Sequence, residues 1–416
     1  MRSLRNHNYR LWAVSAFVSN IGTWMQRVAQ DWLVLAVLTH GAATSVGIVT
    51  ALQFAPQIFL LPLTGAAAEY LDRRKLLIAT QGSMVALAFG LGILTVFGWV
   101  QLWEVYVFAF LLGCVTAFDA PARQVFVSEL VGDADLSNAV ALNSTSFNAA
   151  RMIGPAIAGA LIAAVGIGWA FLLNGAATLA VVAALFMLRV HELHRDTDGP
   201  RPAGGFIQAM RYLFTRGDLQ AILVMLALFG AFGLNFPVFI STMAVNVFRV
   251  DASHFGLLTS AMAIGSVTGA VLAARRERPD LIFIIAGAAT FSIGLATAAL
   301  MPTYWAFGAV LVIVGVAAQT VTTSAIGLVQ LATDKHMRGR MMALLMAITL
   351  GSAALGAPIL GWVADLAGPR WALGVAAAAA AIAAAIGLRH HRRAGSVAVS
   401  APTTIPTIEP SSVRPA

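Results

Sequence analysis

Gly65-Ala66-Ala67-Ala68-Glu69-Tyr70-Leu71-Asp72-Arg73-Arg74-Lys75 is a charged stretch set between two apolar runs, Ser45 to Leu63 before it and Leu76 to Gly98 after it. A helix needs about 20 apolar residues to cross a bilayer, and each run supplies that length. A strand of the same length would leave its backbone unpaired in lipid, so helix is the expected conformation.

Outward from this stretch the same arrangement recurs. Twelve apolar runs can be read, and basic residues occupy alternate gaps between them. They stand before the first run (Arg2, Arg5, Arg10), after the second (Arg73, Arg74, Lys75) and after the sixth (Arg189, Arg195, Arg201, Arg211, Arg216). They return after the eighth (Arg275, Arg276, Arg278), the tenth (Lys335, Arg338, Arg340) and the twelfth (Arg389, Arg392, Arg393, Arg414). Of 26 lysines and arginines, 21 lie on that side, while the intervening gaps hold only Arg249 and Arg370. Cytoplasmic loops retain Lys and Arg, so both termini are expected in the cytoplasm.

The expected fold is an all-α integral membrane protein with twelve transmembrane helices in two six-helix bundles. Residues 1–10 form a cytoplasmic N-terminus, 11–188 the first bundle, 189–218 a cytoplasmic central loop rich in Pro, Gly and Arg, and 219–388 the second bundle. Residues 389–416, rich in Ser, Thr and Pro, are expected to be a disordered cytoplasmic tail. A sparse internal repeat supports the division. Gly159, Gly166 and Trp169 correspond to Gly361, Gly368 and Trp371 at an offset of 202 residues, and at a slightly different offset Gly47 and Thr50 correspond to Gly256 and Thr259.

Composition narrows the function classes. The chain is 59% hydrophobic and 11% charged, with a mean hydropathy of +0.83, far from a soluble domain. The net charge of +8 is scattered over short loops, which argues against a nucleic-acid partner. Cys114 is the only cysteine, so an internal disulfide and a Cys metal cluster are excluded. The eight histidines lie in loops or at span ends without a zincin spacing. Neither Lys75 nor Lys335 follows a Gly-rich phosphate loop, so there is no Walker A motif. No metal and no cofactor is expected. The first apolar run continues to about Leu38, too long for a signal peptide, and acts as a span.

The opening stretch resembles the signature loop of the major facilitator superfamily: Gly65, Glu69, Arg73 and Arg74 match that pattern in kind, while Tyr70 and Asp72 depart from it. In the fifth run Gly154, Pro155 and Gly159 resemble the superfamily's antiporter motif, with Ala150 and Ala158 in place of two glycines. The segments Asn20 to Trp32 and Asp119 to Gln124 look like the bacterial branch that includes enterobactin and macrolide exporters. The resemblance covers roughly residues 5 to 390. It implies a bacterial inner-membrane transporter working by alternating access, export powered by proton entry, and a gating role for the loop. One chain supplies both halves, so a monomer in the lipid bilayer is expected, with protons and a small amphiphilic molecule as its partners. An uptake symporter on the same scaffold is the alternative reading, and a membrane receptor or enzyme a remote one.

Charges within the spans mark the candidate site. On insertion scales each costs at least roughly 2.5 kcal/mol in the apolar core, so each calls for a partner or a wet cavity. Asn20, Thr23, Arg27 and Asp31 recur at helical spacing on one face, with Trp24 beside them. Arg27 with Asp31, and Asp119 with Arg123, can pair at four residues' separation. These four are the proton-coupling candidates: burial works against a carboxylate's charge and a neighbouring Arg favours it. Arg151 has no acidic neighbour in sequence and is read as serving an anionic substrate or a carboxylate on another helix. Phe232, Asn235 and Phe236 in the seventh span and Gln319 in the tenth complete the expected substrate cavity.

Overall fold

The structure, a computed structural model, describes residues 2–60, 63–64, 67, 71–194, 206–275, 280–334 and 337–399. The first half comprises α1 (His7–Trp32, continued by a π-helical turn over Leu33–Leu38), α2 (Ala43–Phe59), α3 (Arg73–Val96), α4 (Leu102–Val131), α5 (Asp133–Val165) and α6 (Ile167–Met187). A short α7 (Phe206–Thr215) follows. The second half begins with α8 (Gly217–Leu228) and α9 (Phe236–Thr242), separated by a π-helical turn over Phe229–Gly233 and followed by another over Met243–Val247. It ends with α10 (Ala252–Ala274), α11 (Leu281–Leu300), α12 (Tyr304–Ala332), α13 (Arg338–Ala367) and α14 (Pro369–Val399).

Among the described residues, ten helices are long and apolar enough to cross a membrane: α3 to α6, the α8–α9 unit, and α10 to α14. The first two expected spans are helical but fall short of that measure. α2 has 17 residues, and the second half of α1 carries Asn20, Gln26, Arg27, Gln30 and Asp31. Two expectations need correction. The central stretch 189–218 contains the helix α7, and α14 runs to Val399, past Leu388 where apolarity ends. A helix needs no apolar side chains once it leaves lipid.

Local chemistry sets the helix boundaries. Asp72, Asp251, Asp280 and Thr303 cap α3, α10, α11 and α12 by accepting a backbone N–H of the first turn. Gly166 and Gly368, equivalent in the repeat, are the single residues between α5 and α6 and between α13 and α14. Their φ values are +98° and +101°, a region costly for an L side chain. His40 and Arg249, related by the same offset as Gly47 and Gly256, adopt φ of +51° and +53° after equivalent π-helical turns. The repeat therefore extends to backbone features that the sequence does not display.

The two ends of the bundle differ. At the end bearing the termini, Arg74 Nε donates to Leu185 O at 2.7 Å near the C-terminus of α6, and Arg216 Nη2 to Ala332 O at 2.9 Å ending α12. Cations suit the carbonyl-rich C-terminus of a helix. At the far end six of the nine tryptophans are exposed, namely Trp99, Trp103, Trp169, Trp305, Trp362 and Trp371. Such a girdle marks a membrane interface.

The halves meet at the far end through two seams, α2 along α13 and α5 along α10. In the first, Gly47 lies against the Ala357 backbone, and a Cβ on Gly361 would stand 2.6 Å from Ala43 O. In the second, Gly256 lies against Pro155 O, and a Cβ on Gly159 would stand 2.7 Å from Ala252 O. The glycines paired by the repeat thus build two equivalent close approaches. Gly154 does not share this face, because a Cβ there would stand 2.7 Å from Trp24 Cβ on α1. The small residues of the fifth span serve two packing surfaces instead of one. The first seam is also latched: Asp365 on α13 accepts from Ala43 N at 2.6 Å and from Thr44 N at 2.9 Å, and from the Thr44 hydroxyl at 2.6 Å.

Candidate functional site

Between the far-end seams and the end bearing the termini lies a cavity of 460 Å³, walled entirely by the first half. α1 contributes Asn20, Thr23, Gln26, Arg27 and Gln30, at spacings that keep them on the inner face of one helix. α2 adds Gln53, Phe54 and Gln57, α4 adds Asp119 and Arg123, α5 adds Asn143, Ser144 and Phe147, and α6 adds Asn174 and Thr178.

The polar groups fall into a satisfied set and an unsatisfied one. Asp119, 4% exposed, accepts from Thr80 Oγ1 at 2.8 Å, Gln81 Nε2 at 2.6 Å and Arg123 Nε at 3.2 Å. Its ion pair with Arg123 spans 3.1 Å and forms the pair expected from their spacing. Such a carboxylate is held in place by its partners. Asn174 Nδ2 donates to Gln26 Oε1 at 2.5 Å and Gln53 Nε2 to Gln30 Oε1 at 3.3 Å. Left without a partner among the described residues are Gln30 Nε2 and Asn174 Oδ1, both buried at the cavity wall.

Arg27 and Asp31 behave differently from their sequence pairing. No hydrogen bond or ion pair joins them. The Arg27 guanidinium lies over the Trp24 ring, 5.0 Å from its centroid, and the attraction of a cation to an aromatic face substitutes for the carboxylate. Arg151 reaches the same indole from α5 at 5.5 Å and donates to Ser266 Oγ on α10 at 3.3 Å. Phe147, one turn before Arg151, meets Trp24 edge-on at 5.7 Å. Asp31 lies one turn beyond Arg27 toward the far end, is half-buried, and is not among the residues lining the cavity. On α1 the cavity lining ends at Gln30, and Trp32 beyond it stacks on Phe255 of α10.

The aromatic cavity expected from the second half is absent from these walls. Phe236 meets Phe291 edge-on at 6.2 Å, and Phe232 packs on the same hydrophobic core. Asn235 is fully buried and donates to Ala231 O at 2.5 Å, while Gln319 Nε2 donates to Thr323 Oγ1 at 2.9 Å. None of these four lines the 460 Å³ cavity. Of the loop residues, Gly65 and Glu69 lie outside the described residues. Arg73 forms an ion pair with Glu129 near the end of α4. Sequence reasoning missed Gln30, Gln53, Gln57, Asn143, Asn174 and Glu129. For the five amides the signal was there to read, since each lies inside an apolar run and must find a partner or face water; Glu129 lies just past the end of such a run and gave no such signal.

Outside the spans, the Asp251 carboxyl is held below the usual carboxylate range by the His254 backbone N–H and by the His254 ring beside it.

Residues 1–410 match the family described as transmembrane secretion effectors. A staphyloferrin A transporter of Staphylococcus aureus is 27% identical over 61% of this chain and 63% of its own length. The enterobactin exporter EntS of Salmonella typhimurium is 24% identical over 85% of this chain and 84% of its own. The multidrug efflux pump Tap of Mycolicibacterium fortuitum is 25% identical over 85% of this chain and 88% of its own. Among solved structures, a bacterial homologue of the human lysosomal transporter Spinster, inward-facing and unoccupied, superposes with a TM-score of 0.76 at 14% identity, covering 93% of this chain and 97% of that one. The nucleoside transporter NupG gives 0.74 at 11% identity, covering 92% and 99%.

Proposed function

Because the chain belongs to the transmembrane secretion effector family of the major facilitator superfamily, we propose that it exports small amphiphilic compounds, drugs or siderophore-like molecules, by proton-coupled alternating access. It is a multi-pass membrane transporter and not an enzyme. On this reading α1 and α2 join the ten long helices as spans, giving two six-helix bundles. The protein is a monomer in the inner membrane of a bacterium, with both termini and the 189–218 connection in the cytoplasm. The arginine-rich end then faces the cytoplasm and the tryptophan girdle the outer leaflet.

One observation carries this reading: an apolar bundle holds a cavity lined by amide and charged side chains, while two close-packed seams related by the internal repeat join the halves at the far end. A cavity so placed loads from the cytoplasm, and parting of the seams would release its contents outside. The two carboxylates have separate parts. Asp119, held by three side chains, is the fixed charge. Asp31, without a hydrogen bond or ion pair among the described residues and standing between cavity and seam, is the proton carrier, with Arg27 as its charged neighbour one turn away. Arg73 and Arg74, the first residues of α3, serve the gating loop that precedes it.

The experiment is proton movement in proteoliposomes loaded with a chemically diverse compound panel. Export requires that compound moving out of the cytoplasmic-side compartment be matched by proton movement in the opposite direction. Proton and compound moving together would sink export in favour of symport, and no compound-dependent proton movement would sink proton coupling.

A further inference from the structure

The charges around the cavity do not cancel. Asp119 and Arg123 neutralise each other at 3.1 Å on the α4 wall. On the α1 side two guanidiniums, Arg27 and Arg151, share the Trp24 ring at 5.0 and 5.5 Å, and Asp31 is the single acid within a turn of Arg27. Among the described residues neither arginine makes an ion pair within 4 Å, and the one hydrogen bond from this pair goes to a neutral hydroxyl, Ser266 Oγ. One positive charge is thus left over in a region where unpaired charge is costly. A second observation points the same way. Gln30 is 2% exposed and lines the cavity one turn from Arg27, yet its Nε2 has no acceptor among the described residues. A donor without an acceptor, and a cation without its counter-ion, describe a receptor for an anion. Phe147, which lines the cavity and meets Trp24 edge-on, adds an aromatic surface beside it, suited to the apolar body of the same molecule.

We infer that the cavity binds an anionic group of its substrate, a carboxylate in the first instance, at Arg27 and Gln30, with Arg151 supplying the second positive charge behind Trp24. The substrate class is then an amphiphilic acid, which rests on the transport reading above and sharpens it. Arg27 presents a planar fork of N–H donors to the carboxylate, and the Gln30 Nε2 donor completes the contact while its Oε1 stays with Gln53. A hydrophobic cation, the other common class of amphiphile, would face an excess of like charge.

The test needs no knowledge of the natural compound. Purified protein in nanodiscs is titrated calorimetrically with matched acid and amide pairs: benzoate and benzamide, 1-naphthoate and 1-naphthamide, hexanoate and hexanamide. The expected result is that at least one acid binds about tenfold or more tightly than its amide. Arg27→Gln should abolish that preference and Arg151→Gln reduce it, while Arg27→Lys keeps part of it and Arg249→Gln, at an exposed arginine, leaves it unchanged. Equal binding across all pairs in the parent protein overturns the inference, and this comparison requires no variant to fold. Persistence of the preference in the Arg27→Gln, Arg151→Gln double variant overturns it as well. Acid-selective binding without proton-coupled movement in proteoliposomes would keep the subsite and refute the proton-coupled reading. Proton-coupled export of cations or neutral compounds only, with no acid-selective pair, would do the reverse.

Discussion

Asp365 holds the α2–α13 seam in a way that permits a quantitative prediction. Its carboxylate sits on α13 yet serves the N-terminus of α2, accepting from two backbone N–H groups and one hydroxyl at 2.6 to 2.9 Å. Truncating an N-cap side chain costs about 0.5–2 kcal/mol. The Thr44 contacts are exposed to solvent, so the lower part of that range applies, about 1 kcal/mol. This cap joins different halves, so it exists only while the far end is closed. Its whole loss therefore falls on the equilibrium between closed and open far end, a shift of about fivefold for 1 kcal/mol. The assay is a distance measurement between spin labels at cysteines replacing Trp99 and Leu300, exposed far-end residues of opposite halves, in a background of Cys114→Ala. Asp365→Ala should raise the long-distance population about fivefold, and Asp365→Asn, which keeps an acceptor oxygen, by less. Asp251→Ala removes a cap that serves its own helix through His254 N at 3.0 Å and should leave the distribution unchanged. An unaltered distribution in Asp365→Ala, or an equal shift in Asp251→Ala, would refute the latch.

Three further outcomes are expected. Gly47→Ala and Gly256→Ala each put a methyl against the backbone of the opposing helix, so each should favour the open far end in the same spin-label assay; a change in one seam only would break their equivalence. Arg73→Ala strands Glu129, which is 6% exposed, so transport should fall more than membrane abundance. Its double variant with Glu129→Ala should recover part of the stability, a coupling of about 0.5–3 kcal/mol read from paired melting curves; simple additivity would deny the ion pair a role. Asp31→Asn should abolish uphill export while leaving substrate binding and downhill exchange, and uphill export at the parent rate would remove Asp31 as proton carrier.

The alternation of charged and uncharged gaps is legible because it records a property of each loop by itself. Gly47, Gly159, Gly256 and Gly361 were legible as a repeat for a similar reason: close approach at equivalent places demands the same small residue. Partners across helices were not legible. Periodicity fixes which residues of α1 share a face, but not how far the cavity runs along it, so Asp31 read as lining and Gln30 was passed over. Arg27 and Asp31 satisfy the spacing of a pair, yet spacing is silent about Trp24, which Arg27 prefers. Phe232 and Phe236 carry the residue type of a binding pocket and serve the core, because an aromatic ring fits either place. Asp365 stands near a helix end among other loop charges, and nothing local announces that it caps a helix more than 300 residues away in sequence.

Alternating access is tested most directly by the sidedness of the cavity itself. A single cysteine is placed at Thr116 or Asn143, both cavity-lining positions, with Cys114→Ala, in membrane vesicles of known orientation. An impermeant thiol reagent is then applied to one face at a time. The account predicts that at rest the cysteine reacts from the cytoplasmic face alone, and that an imposed proton gradient with a transported compound makes it reactive from the outer face as well. Labelling from both faces at rest, or none from the outer face under turnover, would contradict it.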